Sequence, residues 1–555
     1  MALTALALLP ITMRSASAEG ETSGQCGDNL YWSFDEDTGT LTITGSGDMY
    51  DDYTGWQEQS IFIKHVVLPD GLTTIGNYAF CDFVQLNTIT IPDSVTRIGV
   101  NAFSNCKALE TVTIPYRVTE IAGYAFSCCS GMTSVVIPDS VTTIQSSAFQ
   151  ACTALTEITI PDSVSNISYR AFYGCIGLKK ITIPCSERLG NYVFENCTMV
   201  STLHITNGTG EWLISISGLE SVTVVQIDEG ITSIGNSAFG GFHGSAKIII
   251  PDGVESIGFR AFYLTKLTGI TIPDSVTSID EMAFEECTEL KSITIPGSVE
   301  SFGDYAFGEC TALETVIIEN GVTEISMAAF RYCTGLKTIS IPESVTRIDH
   351  FAFQNFAGLE EFTIPDSVTS IGQSAFAFCT ELKTFIIGNG VTEIEDMAFR
   401  YCTKLETVII GNSMVNIDQF AFFGCESLKE VMLPDSVISI SDGVFSDCTD
   451  LAEITIPESV KSIGEKAFKN CSGLKDVWYG GTPMQKESIA IAEENECLLN
   501  AMWHYRQATI TGTVEWNAAD VKFKGSTPYV IANGKAQTPR FTVKNKADGS
   551  VIPST

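Results

Sequence analysis

The chain has 555 residues and carries 66 acidic against 32 basic side chains, a formal charge of −34 that repels phosphate backbones and anionic lipid and so excludes nucleic acid as a partner. At 44% hydrophobic and 18% charged residues it has the composition of a folded protein, yet no apolar run approaches the roughly 20 residues of a membrane-spanning helix. The five histidines, His65, His204, His243, His350 and His504, show neither metal-ligand spacing nor a local catalytic motif.

In chain order, residues 2–13 are apolar, and Ala16-Ser17-Ala18 before Glu19 has the small-x-small form of a signal-peptidase site. Residues 1–18 are therefore expected to be a signal peptide. No Lys or Arg precedes the apolar run, so the true start is expected upstream of Met1. Residues 19–62 are expected to form an N-terminal β cap. Trp32 to Phe34 and Thr40 to Thr44 alternate as strands, and Asp35-Glu-Asp-Thr-Gly39 is the turn between them. Asp35 and Asp37 lack the further oxygen ligands of an EF-hand loop, so the pair reads as turn chemistry and not as a calcium site.

From there the sequence repeats. A phenylalanine marker stands at Phe80, Phe103, Phe126, Phe149, Phe172, Phe194, Phe239, Phe262, Phe284, Phe307, Phe330, Phe353, Phe376, Phe399, Phe422, Phe445 and Phe468, with Ile216 in the same slot of a degenerate copy. Successive markers lie 23 or, three times, 22 residues apart. Counted from the marker, apolar residues recur at +3, +6, +9, +11, +15 and +18. The +9/+11 pair is a short alternating strand, and Pro at +12 ends it. Asp-Ser or Glu-Ser then turns the chain, and Val-Thr-x-Ile supplies a second extended piece. The residue before the marker is nearly always Ala, so that slot has little room.

One such turn buries side chains worth roughly 10–20 kcal/mol in all, and ordering 23 backbone units at about 1–2 kcal/mol each costs more. A turn cannot stand alone; stacked turns share strand hydrogen bonds and bury each other's flat faces. The prediction is a β-rich solenoid of eighteen turns over 63–482, roughly 80–90 Å long at the strand spacing.

The recurrent Ile-Pro-Asp-Ser-Val-Thr-x-Ile-Gly-x-x-Ala-Phe-x-x-Cys-Thr-x-Leu, as in 364–382, resembles the BspA-like leucine-rich repeat. The hairpin at 30–44 and the segment from Val477-Trp-Tyr-Gly-Gly481 to His504-Tyr505 are similar to that family's terminal segments, which makes 483–506 a partly helical C-terminal cap. The resemblance implies a secreted or cell-surface leucine-rich repeat protein that binds extracellular or host proteins, commonly as an adhesin. After Arg506, residues 507–555 lack Cys and are similar to the start of a bacterial Ig-like module, though 49 residues are too few for a full sandwich.

Thirteen of the 18 cysteines sit at +3, where other copies carry Phe83, Leu219, Phe242 or Phe356. A slot that exchanges Cys for Phe reads as apolar core holding free thiols. Cys26, Cys81, Cys128, Cys185 and Cys497 lie off the period, and a Cys26–Cys81 bond is one option for clamping the first turn. No nucleophile elbow, phosphate loop or HExxH occurs, so no catalytic residue, cofactor or metal is expected.

The candidate binding site is the outward column at +10. It includes Ile317, Ile386, Ile409, Met432 and Trp478, with Ile386, Ile409 and Met432 in consecutive turns. Lys383, Glu406 and Lys429 at +7 and Glu430 at +8 would rim this apolar centre, the anatomy of a protein-binding patch. β-propensity alone accounts equally for Ile on an exposed strand. The readings left open are a monomeric adhesin and a passive stalk or coat, with a hydrolytic enzyme behind both.

Overall fold

The structure, a computed structural model, describes residues 22–52, 55–185, 189–206, 219–244 and 246–505. The expected signal peptide and the Ile216 marker lie outside the described residues. In the stretch expected to be Ig-like, backbone strands are described at Val521–Lys524, Thr527–Ala532 and Lys535–Gln537, paired antiparallel, and at Val543–Lys544 with Val551–Ile552.

The chain opens with three antiparallel strands: β1 (Ser23–Gly27), β2 (Leu30–Asp35) and β3 (Thr40–Asp48). Asp35 Oδ1 accepts the backbone N–H groups of Asp37 at 3.0 Å and Thr38 at 3.3 Å, so this carboxylate closes the hairpin turn. Strand β3 is long enough to start two columns. Thr40 to Thr42 pair in parallel with His65 to Val67, and Ser46 and Gly47 pair with Gly71 and Leu72.

Later turns add short strands to these two columns, with the face column interrupted between Lys247–Ile248 and Ser292–Ile295. One column is the face, as in Glu361–Thr363, Thr384–Ile386 and Thr407–Ile409; the other is the back, as in Ser370–Ile371 and Glu393–Ile394. Pairing is parallel with residues one period apart opposite each other, for example Phe362 to Phe385 to Val408. In the face strands the +9 side chain is buried while +8 and +10 point outward, as the two-residue alternation of a strand requires.

All seventeen phenylalanine markers are buried. Their rings form a ladder with centroids 4.9 Å apart at Phe262–Phe284 and 5.7 Å at Phe330–Phe353, close to the strand spacing that sets it. The ladder begins one turn before the first marker, at Trp56. Its ring stacks on Phe80 at 6.0 Å, and its Nε1–H donates to the Ala79 carbonyl at 2.6 Å. The small residue before each marker is explained by close approach of neighbouring turns: Phe103 N–H donates to the Ala125 carbonyl at 2.7 Å, and Phe126 N–H to Ala148 at 2.8 Å.

Two features of the turn carry no sequence signature. The residues two before and two after the marker adopt left-handed backbone, such as Ser147 (φ 58°) and Ala151 (φ 57°) around Phe149. Bulky residues fill these slots more often than Gly or Asn, at a cost that stacking must offset. The +3 cysteines are also more than apolar filler. All thirteen are buried free thiols, and each donates its S–H to the carbonyl of the preceding turn's marker. Cys106 does so to Phe80 at 3.2 Å, Cys333 to Phe307 at 3.1 Å and Cys471 to Phe445 at 3.0 Å. Thr265, buried in the same slot, bonds the Cys287 sulfur at 3.1 Å instead. The recurring Ser of the turn forms a third ladder, with Ser94 Oγ on the Leu72 carbonyl and Ser459 Oγ on the Val437 carbonyl, both at 2.6 Å. Cys26 and Cys81 are both free, so no disulfide clamps the first turn.

At the C-terminal end two short helices, Pro483–Lys486 and Glu496–Asn500, precede a last face strand, Met502–Tyr505. The buried Asn495 takes the place of a further turn. Its Oδ1 accepts the Phe468 N–H at 2.9 Å, and its Nδ2 donates to the Gly464 and Ala492 carbonyls at 2.9 Å.

Candidate functional site: the strand face

The face strands from Glu361–Thr363 to Met502–Tyr505 form one seven-stranded sheet. It brings together Ile386, Ile409, Met432 and Trp478 on the outward column. The pairing Thr363–Ile386–Ile409 is direct, and Met432–Thr455–Trp478–His504 continues the same column. Ile409 is 37% exposed and Met432 50%, whereas Ile386 is half-buried. Ile317, 46% exposed, belongs to a separate three-stranded sheet and is divided from the stripe by Ser340 and Thr363. The structure therefore separates Ile317 from the other predicted site residues.

Trp478 is not an open anchor. Its ring stacks on His504 with centroids 4.0 Å apart, its Nε1–H donates to Glu453 Oε2 at 3.0 Å, and His504 Nε2 lies 2.7 Å from Asp476 Oδ1. The end of the sheet is thus braced by side chains from three turns.

The charged rim also differs from expectation. Lys383 pairs with Glu360 at 2.9 Å and Lys429 pairs with Glu406, while Lys337 pairs with Glu314 at 3.0 Å further down the same +7 column. From Lys291 to Lys429 this column alternates Lys and Glu in every turn, a pattern readable in the sequence at the period. Bonding to Glu360 raises the Lys383 ammonium above its ordinary pKa, and bonding to Lys429 holds the Glu406 carboxyl below its own. The rim charges answer one another and so offer less to an incoming ligand; being exposed, these pairs add little stability. Glu430 stands exposed beside Met432. On the other side of the stripe, an Asx ladder fixes the turns: Asn389 N–H donates to Asp366 Oδ1 at 2.6 Å, and Asn412 N–H to Asn389 Oδ1 at 3.2 Å.

Away from the face, a hollow of about 190 Å³ is lined by Gln373, Glu393, Glu395, Asp396 and Asp418. Burial, then the Glu393 and Asp396 charges, raise the Asp418 carboxyl above its usual range. His350 Nδ1 sits 3.2 Å from Glu395 Oε2 and also accepts the Gln373 N–H, so this imidazole is tied into the turn. Among the described residues, no group of His, Cys, Asp and Glu side chains is placed to hold a metal ion, and no helix is long and apolar enough to cross a membrane.

A leucine-rich repeat solenoid with an exposed strand face is a scaffold for binding other proteins. The profile of the BspA type leucine rich repeat region matches residues 58–135, 119–224, 217–337, 301–418 and 392–485, an unbroken stretch covering most of the chain, which therefore belongs to that family. No curated relative matches the chain in sequence. Among solved structures, it is similar to a leucine-rich repeat protein from Bacteroides ovatus (24% identity, 86% of this chain and 99% of that one, TM-score 0.34). It is also similar to a leucine rich cell surface protein from Faecalibacterium prausnitzii (25% identity, 84% and 96%, TM-score 0.27). A third is a leucine-rich repeat protein from Eubacterium ventriosum (21% identity, 81% and 94%, TM-score 0.28).

Proposed function

We propose that the protein is secreted or displayed at the cell surface, where it acts as a monomeric adhesin that binds extracellular or host proteins through the strand face of its C-terminal half. The observation that carries this reading is the apolar stripe of Ile386, Ile409 and Met432 on a sheet whose neighbouring charges are already paired. An apolar column between a paired Lys/Glu ladder and an Asx ladder exposes area to a partner without leaving unpaired rim charges to be desolvated. The rigid stack limits the ordering entropy lost on contact. The formal charge of −34 favours encounter with basic protein surfaces.

The test is binding of the full chain to immobilised extracellular matrix proteins and to host cells, beside a variant carrying Ile386→Ser, Ile409→Ser and Met432→Ser. At about 1 kcal/mol for each truncated contact, the triple variant should bind on the order of a hundredfold more weakly while melting as the parent does. Unchanged adhesion by the variant refutes the stripe as the site. Absence of any specific binding by the parent supports a passive coat.

A further inference from the structure

The back column carries a hollow of about 480 Å³ where the strand Ser278–Ile279 is followed, one turn on, by Ser301 and Phe302. The buried Ile279 and Phe302 form its apolar floor, and Phe259, 36% exposed, forms one wall. Asp280 and Glu281 supply its charge, and no Lys or Arg lines it. Asp280 accepts only the Ser278 hydroxyl, at 3.2 Å, and the Glu281 carboxylate has no hydrogen bond or ion pair among the described residues. Arg260 stands outside the hollow: its guanidinium carbon lies 4.8 Å from the Tyr263 centroid and 5.1 Å from that of Phe259, and its charge acts on Glu285.

Other turns show what fills this place. The residue six before the marker is Arg97 in one turn and Arg347 in another, and each guanidinium takes the acceptors around it. Arg347 donates to Asp349, four before its own marker, at 3.1 Å. Arg97 donates to Asn77, three before the preceding marker, at 3.0 Å, and to Asp51 at 2.9 Å. The hollow has acceptors in both of these slots, Asp280 four before Phe284 and Glu281 three before it, yet its own residues at the arginine slot are Ser278 and Ser301. Nor is Glu281 spent on the stack, as others in its slot are: Asn236 Oδ1 accepts the Phe259 N–H at 2.9 Å, and Asp396 Oδ1 accepts that of Gln419 at 3.1 Å. The two carboxylates are thus laid out for a guanidinium that the chain itself does not supply.

We propose that this hollow is a binding site for an arginine side chain of a partner protein, with the guanidinium bonded by Asp280 and Glu281 and its stem laid on Ile279, Phe302 and Phe259. The site is independent of the strand-face reading, since it lies on the other column. Its volume falls in the range of pockets that take a small ligand and admits one long side chain. Among the described residues no group of side chains is placed to hold a metal ion, so a bare cation is not the occupant. A planar, weakly hydrated guanidinium suits an apolar floor better than an ammonium, and its fork reaches two carboxylates at once. The formal charge of −34 draws basic segments towards the surface, and the hollow gives one of their side chains a fixed seat.

The probe is an acetylated, amidated tetra-arginine peptide, titrated calorimetrically against the full chain at physiological ionic strength, where charges more than about 8 Å apart are largely screened. The tetracitrulline peptide is its neutral counterpart and tetralysine its plain cationic one. Tetra-arginine should bind, tetracitrulline should not, and tetralysine should bind roughly tenfold more weakly for want of the fork. Glu281→Gln and Asp280→Asn should each weaken tetra-arginine roughly tenfold, about one charge-assisted hydrogen bond. Ser301→Arg, which places a guanidinium in the hollow from the chain itself, should weaken it at least as much. The pair Asp274→Asn and Glu343→Gln, which removes two exposed carboxylates outside the hollow, should leave binding unchanged. Thermal melts establish that each variant is folded, and Ser301→Arg carries the test should a carboxylate variant fail to fold. No binding by the parent, unchanged binding by the folded hollow variants, or an equal loss in the distant pair overturns the proposal. Tetralysine binding as tightly through the same residues would show that the hollow reads charge alone and overturn the arginine assignment equally.

Discussion

If the cysteine column were only apolar filler, exchanging one member for valine should cost little, because volume-conserving apolar swaps stay below about 1.5 kcal/mol. The hydrogen bonding indicates otherwise. Cys333 is fully buried and its S–H is 3.1 Å from the Phe307 carbonyl, the partner which that carbonyl has among the described residues. Cys333→Val removes the donor and leaves a buried carbonyl unsatisfied, a loss of about 1–3 kcal/mol. Cys333→Ser keeps a donor at the same atom and recovers part of it, although the shorter C–O bond lengthens the contact. The order of stability should therefore be parent, then serine, then valine. Urea unfolding followed by circular dichroism, under reducing conditions, measures it directly. Valine at parental stability with serine alone destabilised would refute the donor role and restore the simple apolar slot.

The phenylalanine ladder should behave as a core: Phe330→Ala, which removes a ring stacked at 5.5 Å on Phe307 and 5.7 Å on Phe353, should cost about 3–5 kcal/mol in the same urea assay. Because turns are coupled to their neighbours, that loss should also split the unfolding transition in two. Asn495→Ala should fray the C-terminal end without unfolding the rest, seen as faster amide exchange at Phe468 and its neighbours, since the Phe468 N–H loses its acceptor. Burial pushes the Cys333 thiol, and equally the Cys471 thiol, up to about 12, above the unfolded value near 8.5. The folded state thus holds these protons more tightly. Stability from this source is full below about pH 8.5 and declines as the pH rises towards 12. Melting temperatures across that window should fall more steeply for the parent than for Cys333→Ala.

The period was legible because one slot in each turn must hold a large ring and another a small side chain, and those demands leave Phe and Ala in register over the chain. The outward direction of +10 followed from strand alternation and is met at Ile409 and Met432. What escaped were features set by contacts between turns. Trp56 takes the ladder's first position without belonging to a repeat, and Asn495 supplies with a side chain what the backbone of a further turn would provide. The paired left-handed residues leave no mark in composition, because stacking fixes the backbone whatever side chain stands there. Thr265 in the cysteine slot was the one visible hint that a hydrogen-bonding group belongs at +3. At the stripe, adjacency was readable, but the pairing of Lys383 and Lys429 with Glu360 and Glu406 depends on long side chains reaching across turns.

Every column described above, whether buried ladder or exposed stripe, requires that the coils advance by one strand spacing each. Spin labels introduced at Thr294 and Met432 through genetically encoded groups, leaving the thiols untouched, report this by dipolar spectroscopy. Both residues lie on the outward column six turns apart. At about 4.8 Å per turn the distance distribution should be narrow and centred near 30 Å. A broad distribution, or a centre well beyond that length, would contradict the in-register stack and with it the shared face.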